Sequence, residues 1–238
     1  MGDEKKLMNK KRLITISSLI IIFIIYSITT KAFDKNIFEH IGSSLYRMLI
    51  GYVLSVVLGI ITAIILSSNK YIKMMFKPLI SFMMSIPTIT WVPVLLIITG
   101  ISNTTVILAI FLGSYFTIIY NTLDGLENVD QNLIRAAKIM GYNPIKILTH
   151  VSIPDSFNHI IVGLKLGISY SWRALVGAEM LGAANMGLGY LIFTARQFYN
   201  LNRAISTLII IGLLGYLMSR LIIIIEKNTI DKWGLADD

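Results

Sequence analysis

The sequence predicts an all-α integral membrane protein with six transmembrane helices. Three observations lead there. The 238 residues are 55% hydrophobic and only 14% charged. Mean hydropathy is +0.73. The basic residues collect between alternate apolar runs rather than evenly along the chain. A soluble domain of this length needs far more polar surface than that. A hydrocarbon core about 30 Å thick takes about 20 helical residues to cross. Lipid offers no water to the backbone, so such runs form helices. The short alternating segments of a β-barrel are absent from the sequence. The net charge of +8 and a pI near 9.6 would suggest nucleic-acid binding in a soluble chain. Here basic inner loops account for the charge, and no nucleic-acid partner is expected. With no cysteine, disulfides and thiolate metal sites are excluded.

The first apolar run, about 13–30, follows Lys5, Lys6, Lys10, Lys11 and Arg12. A signal peptide also begins this way, but Ser27-Ile28-Thr29-Thr30-Lys31 is a poor cleavage site, so an uncleaved span is expected. Residues 31–44 place Phe33, Ile37, Phe38 and Ile41 on one side and predict a short surface helix. Spans at about 45–67, 79–98, 104–121, 158–180 and 204–225 follow. With the N-terminus inside, thirteen loop cations fall on the cytoplasmic side: Lys5, Lys6, Lys10, Lys11, Arg12, Lys70, Lys73, Lys77, Arg135, Lys138, Lys146, Lys227 and Lys232. Only Lys31, Lys35, Arg196 and Arg203 fall outside. With this bias both termini are expected in the cytoplasm, in a multi-pass, lipid-embedded chain. No internal repeat or low-complexity linker divides it, so residues 1–238 read as one transmembrane domain.

Span three contains Pro87 and Pro93, each of which removes a backbone donor and bends or breaks a helix. The bend suits either a static bundle helix or a pathway wall. In span five, at about 100° per residue, Gly163, Gly167, Tyr170, Ala174 and Gly177 share one side. Small residues on a face let helices approach closely in lipid. Lys165, Ser169, Trp172, Val176 and Glu179 share the other side, with Arg173 beside them. Ionisable groups within a span face a bundle interior or a wet cavity. Pathway wall and structural ion pairing both fit that face. His40, His150 and His159 are not at metal-ligand spacing and read as surface or interface residues.

The loop 122–157 is the most patterned connection. Leu126, Val129, Leu133, Ala136, Ala137 and Met140 recur at three-to-four spacing, which predicts an amphipathic helix over 126–141. Gly141 would end it, with Asn143-Pro144 directly after. A second helical run over Ile145 to Val151 follows, and Ile153-Pro154 leads into span five. Taken alone, this is a helical hairpin on the membrane surface.

These residues also carry a resemblance. Arg135-Ala136-Ala137, three residues, Gly141, nine residues, then Val151-Ser152-Ile153-Pro154 resembles the EAA loop of ABC importer permeases. That pattern is Glu-Ala-Ala, three residues, Gly, nine residues, Ile-x-Leu-Pro. The first position departs, with Arg135 where the pattern has Glu, which leaves the chemistry of that contact open. Further matches resemble the nitrate/sulfonate/taurine branch. They are His40-Ile41-x-x-Ser44-Leu45-x-Arg47, Ile86-Pro87-x-x-x-Trp91-x-Pro93, Asn121-Thr122-x-x-Gly125, Gly163-Leu164-Lys165, Trp172 with Ala178-Glu179, and Gly187-Leu188-Gly189-Tyr190-Leu191-Ile192.

The resemblance implies a type I ABC importer fold, like that of methionine and molybdate permeases. It implies two permease copies (a homodimer is favoured), a cytoplasmic ATPase dimer and an extracytoplasmic substrate-binding protein, in a prokaryotic cell membrane. The chain has no Gly-x-x-x-x-Gly-Lys-Ser/Thr loop, so no cofactor is expected on it and ATP would be bound by the partner. The ATPase-coupling residues would be Leu126, Val129, Leu133, Arg135, Ala136, Ala137, Met140, Gly141 and Pro154. The translocation pathway would draw on Pro87, Lys165, Ser169, Trp172, Arg173 and Glu179, and residues 181–203 would dock the binding protein. The solute would be nitrate-, sulfonate- or taurine-like, or a thiamine precursor or riboflavin-like compound. An ATPase-independent secondary transporter or channel is the alternative, and it would show internal symmetry. A membrane enzyme would need paired carboxylates or a nucleophile–base pair, which the sequence does not offer.

Overall fold

The computed structural model describes residues 36–233, with side chains described as far as residue 220. The first span, 13–30, lies outside the described residues. The described chain forms helices α1 (Ile37–Ser67), α2 (Lys70–Ser85), α3 (Trp91–Thr99), α4 (Asn103–Glu127) and α5 (Gln131–Ile139). There follow α6 (Pro144–Ile147), a π-helical turn (Leu148–Ser152), α7 (Ile153–Asp155), α8 (Phe157–Met180), α9 (Leu188–Gln197) and α10 (Leu201–Trp233). Among the described residues four helices are long and apolar enough to cross a membrane: α1, α4, α8 and α10 over Leu201–Arg220. The bent pair of α2 and α3 passes the same test of length and composition together, as a broken span or a re-entrant loop.

Two expectations change. The surface helix ahead of the second span is not separate, because α1 runs unbroken for 31 residues from Ile37. His40, Ser44 and Arg47 lie along this stretch of α1. They lie on one stripe at four-and-three spacing, and all three are buried. The third span is also not one helix. α2 begins early, at Lys70, where the Asn69 side chain accepts the N–H groups of Tyr71 and Ile72. It stops at Ser85, a 3₁₀ turn covers Thr88–Thr90, and α3 leaves at 83° to α2. Pro87 causes the break, since it disfavours a helical Ile86, which is extended at φ −79°, ψ 118°. Pro93 falls in the first turn of α3, where a missing N–H costs nothing, so it produces no second bend.

The bundle is built around α4, which packs between α1 and α8. Gly51, Ser55, Gly59 and Ala63 make a buried stripe on α1 at four-residue spacing. A Cβ on Gly51 would lie 2.7 Å from the Ile110 side chain and 2.9 Å from the Ile107 carbonyl oxygen. From the other side, a Cβ on Gly163 would lie 2.9 Å from Asn121, and one on Gly167 would lie 3.1 Å from Ile118. Ile118 is thus wedged between Gly59 of α1 and Gly167 of α8. Lipid tails are as apolar as leucine, so helices associate through close packing rather than through water exclusion. Backbone approach made possible by small residues therefore holds the bundle.

Gly51→Val should cost about 1–3 kcal/mol, because the added carbons meet Ile110 and a backbone oxygen that cannot withdraw. Gly42→Ala and Gly212→Ala, which meet nothing within 4 Å, should leave stability unchanged. Thermal unfolding in detergent, followed by tryptophan fluorescence, compares them.

Candidate functional site

Three regions hold the residues singled out in the sequence. The first is the loop between α4 and α8. α4 continues to Glu127, so Leu126 belongs to its last turn and not to a helix over 126–141. Val129 is buried in the break that follows. Asp130 then starts α5, its carboxylate accepting the Asn132 N–H at 2.8 Å. α5 ends at Gly141, whose φ of +79° is the left-handed conformation that glycine adopts freely. Two hydrogen bonds of 3.0 Å close the cap: Gly141 N–H to the Lys138 carbonyl and Tyr142 N–H to the Ala137 carbonyl. Asn143 accepts the Lys146 N–H at 2.8 Å and starts α6.

Between α5 and the α6–α7 segment lies an open groove of about 620 Å³. Leu133, Ala136, Ala137, Met140 and Pro154 line it, together with Tyr142, His150 and Val151. Arg135 is exposed on α5. Ile139 is 88% exposed and Met140 71% exposed, although both are apolar.

The second region is a cavity of about 340 Å³ in the angle between α2 and α3, closed by α4 and α8. Met83, Pro87, Trp91, Phe116, Tyr170 and Arg173 are among its walls. Arg173 is the one charged side chain lining it among the described residues, and its guanidinium lies 5.9 Å from the centre of the Tyr170 ring. Of the six residues read as pathway, Pro87 and Arg173 face this cavity. The other four do not. Lys165 and Ser169 are half-buried along α8, and the Ser169 hydroxyl donates to the Lys165 carbonyl at 3.1 Å. Trp172 is buried against Gly215 of α10, where an added Cβ would sit 2.6 Å from the indole nitrogen. Glu179 is fully buried elsewhere.

The third region surrounds Glu179, which has 0% exposure. Its carboxylate accepts from the Ser44 hydroxyl (2.9 and 3.0 Å), from Arg47 Nη1 (2.6 Å) and from the Gly189 N–H (2.9 Å). Arg47, 3% exposed, also donates to Asn103 Oδ1 at 2.7 Å and to the Met186 carbonyl at 2.8 Å. The Ser44 oxygen accepts the Leu188 N–H at 2.9 Å, and His40 Nδ1 lies 3.0 Å from the Gly187 nitrogen. His40 is therefore a buried structural group between α1 and the start of α9, an interface position rather than a surface one. The first N–H groups of α9 point at a carboxylate, the favourable direction for a helix dipole. Gly187, at φ +139°, passes so close that any Cβ would overlap the Glu179 carboxylate.

Sequence reasoning missed this centre, although signals existed. A carboxylate inside an apolar span needs a cation, and Arg47 is the one basic residue in the second span. His40, Ser44 and Arg47 also share one helical stripe.

Comparison with known proteins matches residues 55–231 to the family of binding-protein-dependent transport system inner membrane components. The chain belongs to this family. A protein of Methanocaldococcus jannaschii named as an ABC transporter permease is 35% identical over 177 residues, covering 74% of this chain and 66% of that one. The SsuC protein of Bacillus subtilis, named as an aliphatic sulfonates transport permease, is 28% identical, covering 83% of this chain and 71% of that one. The CmpB bicarbonate transport permease of Synechocystis is 28% identical, covering 82% of this chain and 69% of that one. Among solved structures, a chain of the MetNI methionine ABC transporter, in inward-facing conformations, superposes with a TM-score of 0.68 at 17% identity. It covers 82% of this chain and 99% of that one. The fold is that of a type I ABC importer permease, and this ABC transporter permease is a multi-pass membrane protein. The family match takes in α4, the loop, the cavity and α9 together.

Arg47→Met should strand the Glu179 carboxylate and cost about 3–5 kcal/mol. The double change Arg47→Met with Glu179→Leu should cost clearly less than the two single changes summed. A double-mutant cycle on thermal unfolding measures the difference.

Proposed function

We propose that the chain forms half of a solute pathway in a cell membrane, driven by a cytoplasmic ATPase dimer that grips the loop containing α5. A second copy of the chain would supply the other half, and an extracytoplasmic binding protein would deliver the solute. The observation that carries this reading is α5 itself, a rigidly capped helix that leaves Ile139 and Met140 in the open. Apolar side chains left in water on a well-formed helix mark a surface that another protein covers. The loop joins the end of α4 to the start of α8, and these two helices carry Phe116, Tyr170 and Arg173 on the cavity wall. A push on the loop therefore acts on that wall as a rigid-body shift. The basic loop lies on the cytoplasmic side in this reading, with both termini. Phe198 and Tyr199, exposed in the turn between α9 and α10, lie in the segment that would dock the binding protein. ATP stays on the partner, because this chain has no phosphate loop.

The lone cation on the cavity wall favours a small anion as solute. A guanidinium stacked beside Tyr170 offers both charge and a planar fork to an oxyanion. Two relatives named for sulfonates and for bicarbonate support the same chemistry.

The test is co-expression with a candidate ABC ATPase from the same organism. Gly141→Pro forbids the positive φ at the end of α5, and the ATPase should no longer co-purify or its hydrolysis should no longer respond to solute. A variant complex that assembles and couples normally would overturn the placement of the loop. In proteoliposomes offered an alkanesulfonate and bicarbonate, Arg173→Gln should reduce anion uptake about tenfold or more, the loss of one charge-assisted contact, while ATPase binding persists.

A further inference from the structure

The loop from Asp130 to Asp155 distributes its charges unevenly. Both carboxylates are engaged at its base. Asp130 caps α5, and Asp155 Oδ2 accepts the Asp130 N–H at 3.2 Å. The carboxylates just outside the loop are engaged too. Glu127 pairs with Lys73 at 3.0 Å and with Lys77, and Asp124 lies 3.3 Å from His159. The three permanent cations of the loop, Arg135, Lys138 and Lys146, are all exposed. None of them pairs with a carboxylate among the described residues. Lys146 instead lies 6.0 Å from the centre of the Tyr142 ring.

Between these cations lies apolar surface that the chain itself leaves uncovered. Leu133 and Met140 border the groove, while Ile139 projects about 40° round the helix from Arg135, four residues on. A partner that covers Ile139 and Met140 must also take Arg135 and Lys138 out of water. Desolvating cations without counter-charges costs more than the apolar contact returns.

We infer that the surface receiving α5 is an acidic protein cleft. An apolar side chain of the partner fills the groove, and carboxylates face Arg135, Lys138 and Lys146. This inference rests on the reading that an ATPase docks here, and it specifies the chemistry of that contact. The receiving charge is the reverse of the one that a Glu at position 135 would require. Arg135 is the cation best suited to the main contact, since its planar fork meets a carboxylate in two parallel hydrogen bonds. Anionic lipid is the competing occupant for a basic, apolar helix. The concavity argues against it, because a bilayer surface has no convex group to seat in a groove between two helices.

The test titrates fluorescently labelled ATPase onto the full chain held in nanodiscs, either of phosphatidylcholine alone or with phosphatidylglycerol. Binding should weaken about tenfold between low and physiological salt. Arg135→Glu with Lys138→Glu should weaken it about tenfold at low salt in both lipids, with thermal unfolding unchanged. Arg135→Lys, which keeps the charge and loses the fork, should fall between. Binding that resists salt and charge reversal, changing less than twofold, overturns the acidic cleft while the docking reading stands. A charge effect confined to nanodiscs with phosphatidylglycerol assigns the cations to lipid and also overturns it. If wild-type chain binds no ATPase at any salt, the docking reading itself fails.

Discussion

A carboxylate sealed away from water dictates how three helices meet. Glu179 lies on α8, its cation on α1 and its backbone donor at the start of α9. An ion inside a membrane-spanning bundle is tolerated only when its partners are in place. Removing any one helix from the contact would leave a charge or a row of N–H groups unsatisfied. The ion pair therefore sets the rotation of α8 as well as its position. Arg173 sits six residues earlier, about 9 Å along the axis and about 120° round it. With Glu179 locked inward against α1 and α9, Arg173 is turned toward the cavity beside α2 and α3.

The rest of the bundle follows from the absence of a hydrophobic drive between helices in lipid. Gly51, Gly59, Gly163 and Gly167 let α1 and α8 approach α4 from opposite sides, with Ile118 held between them. The cavity exists because this close packing is interrupted. Pro87 separates α2 from α3, which meet at 83°, and the angle opens beside α4. A closely packed centre and an open angle are thus carried on the same helix. The lysines that hold Glu127 tie α2 to the foot of α4, so the loop, α4 and the cavity wall are joined at both ends.

Much of this was legible in the residues. Hydropathy located the four long apolar helices found among the described residues. Gly141 announced the end of α5, and its φ of +79° shows why glycine stands there. The spacing from Arg135 to Pro154 pointed to the family before any fold was known. What was misread shares a cause. Periodicity assigns residues to faces of a helix but does not say what each face meets. Lys165, Ser169, Trp172 and Glu179 share a face that fits a pathway wall or structural ion pairing, and spacing alone does not show that Trp172 packs on α10 and Glu179 pairs with α1. Spacing could not separate surface from interface for His40, because its partner, Gly187, lies 147 residues away.

The sequence by itself determined that the chain is a bundle of membrane helices, that it carries a patterned loop between α4 and α8, and which family it belongs to. Those are properties of composition and short-range spacing, governed by the backbone's need for hydrogen bonds in lipid. Only the tertiary structure decided which charges hold the protein together and which face open space. Arg47 and Glu179 neutralise each other across 132 residues of chain, whereas Arg173 is left on a cavity wall. A buried charge is defined by its partner, and in a helical bundle the partner comes from another helix.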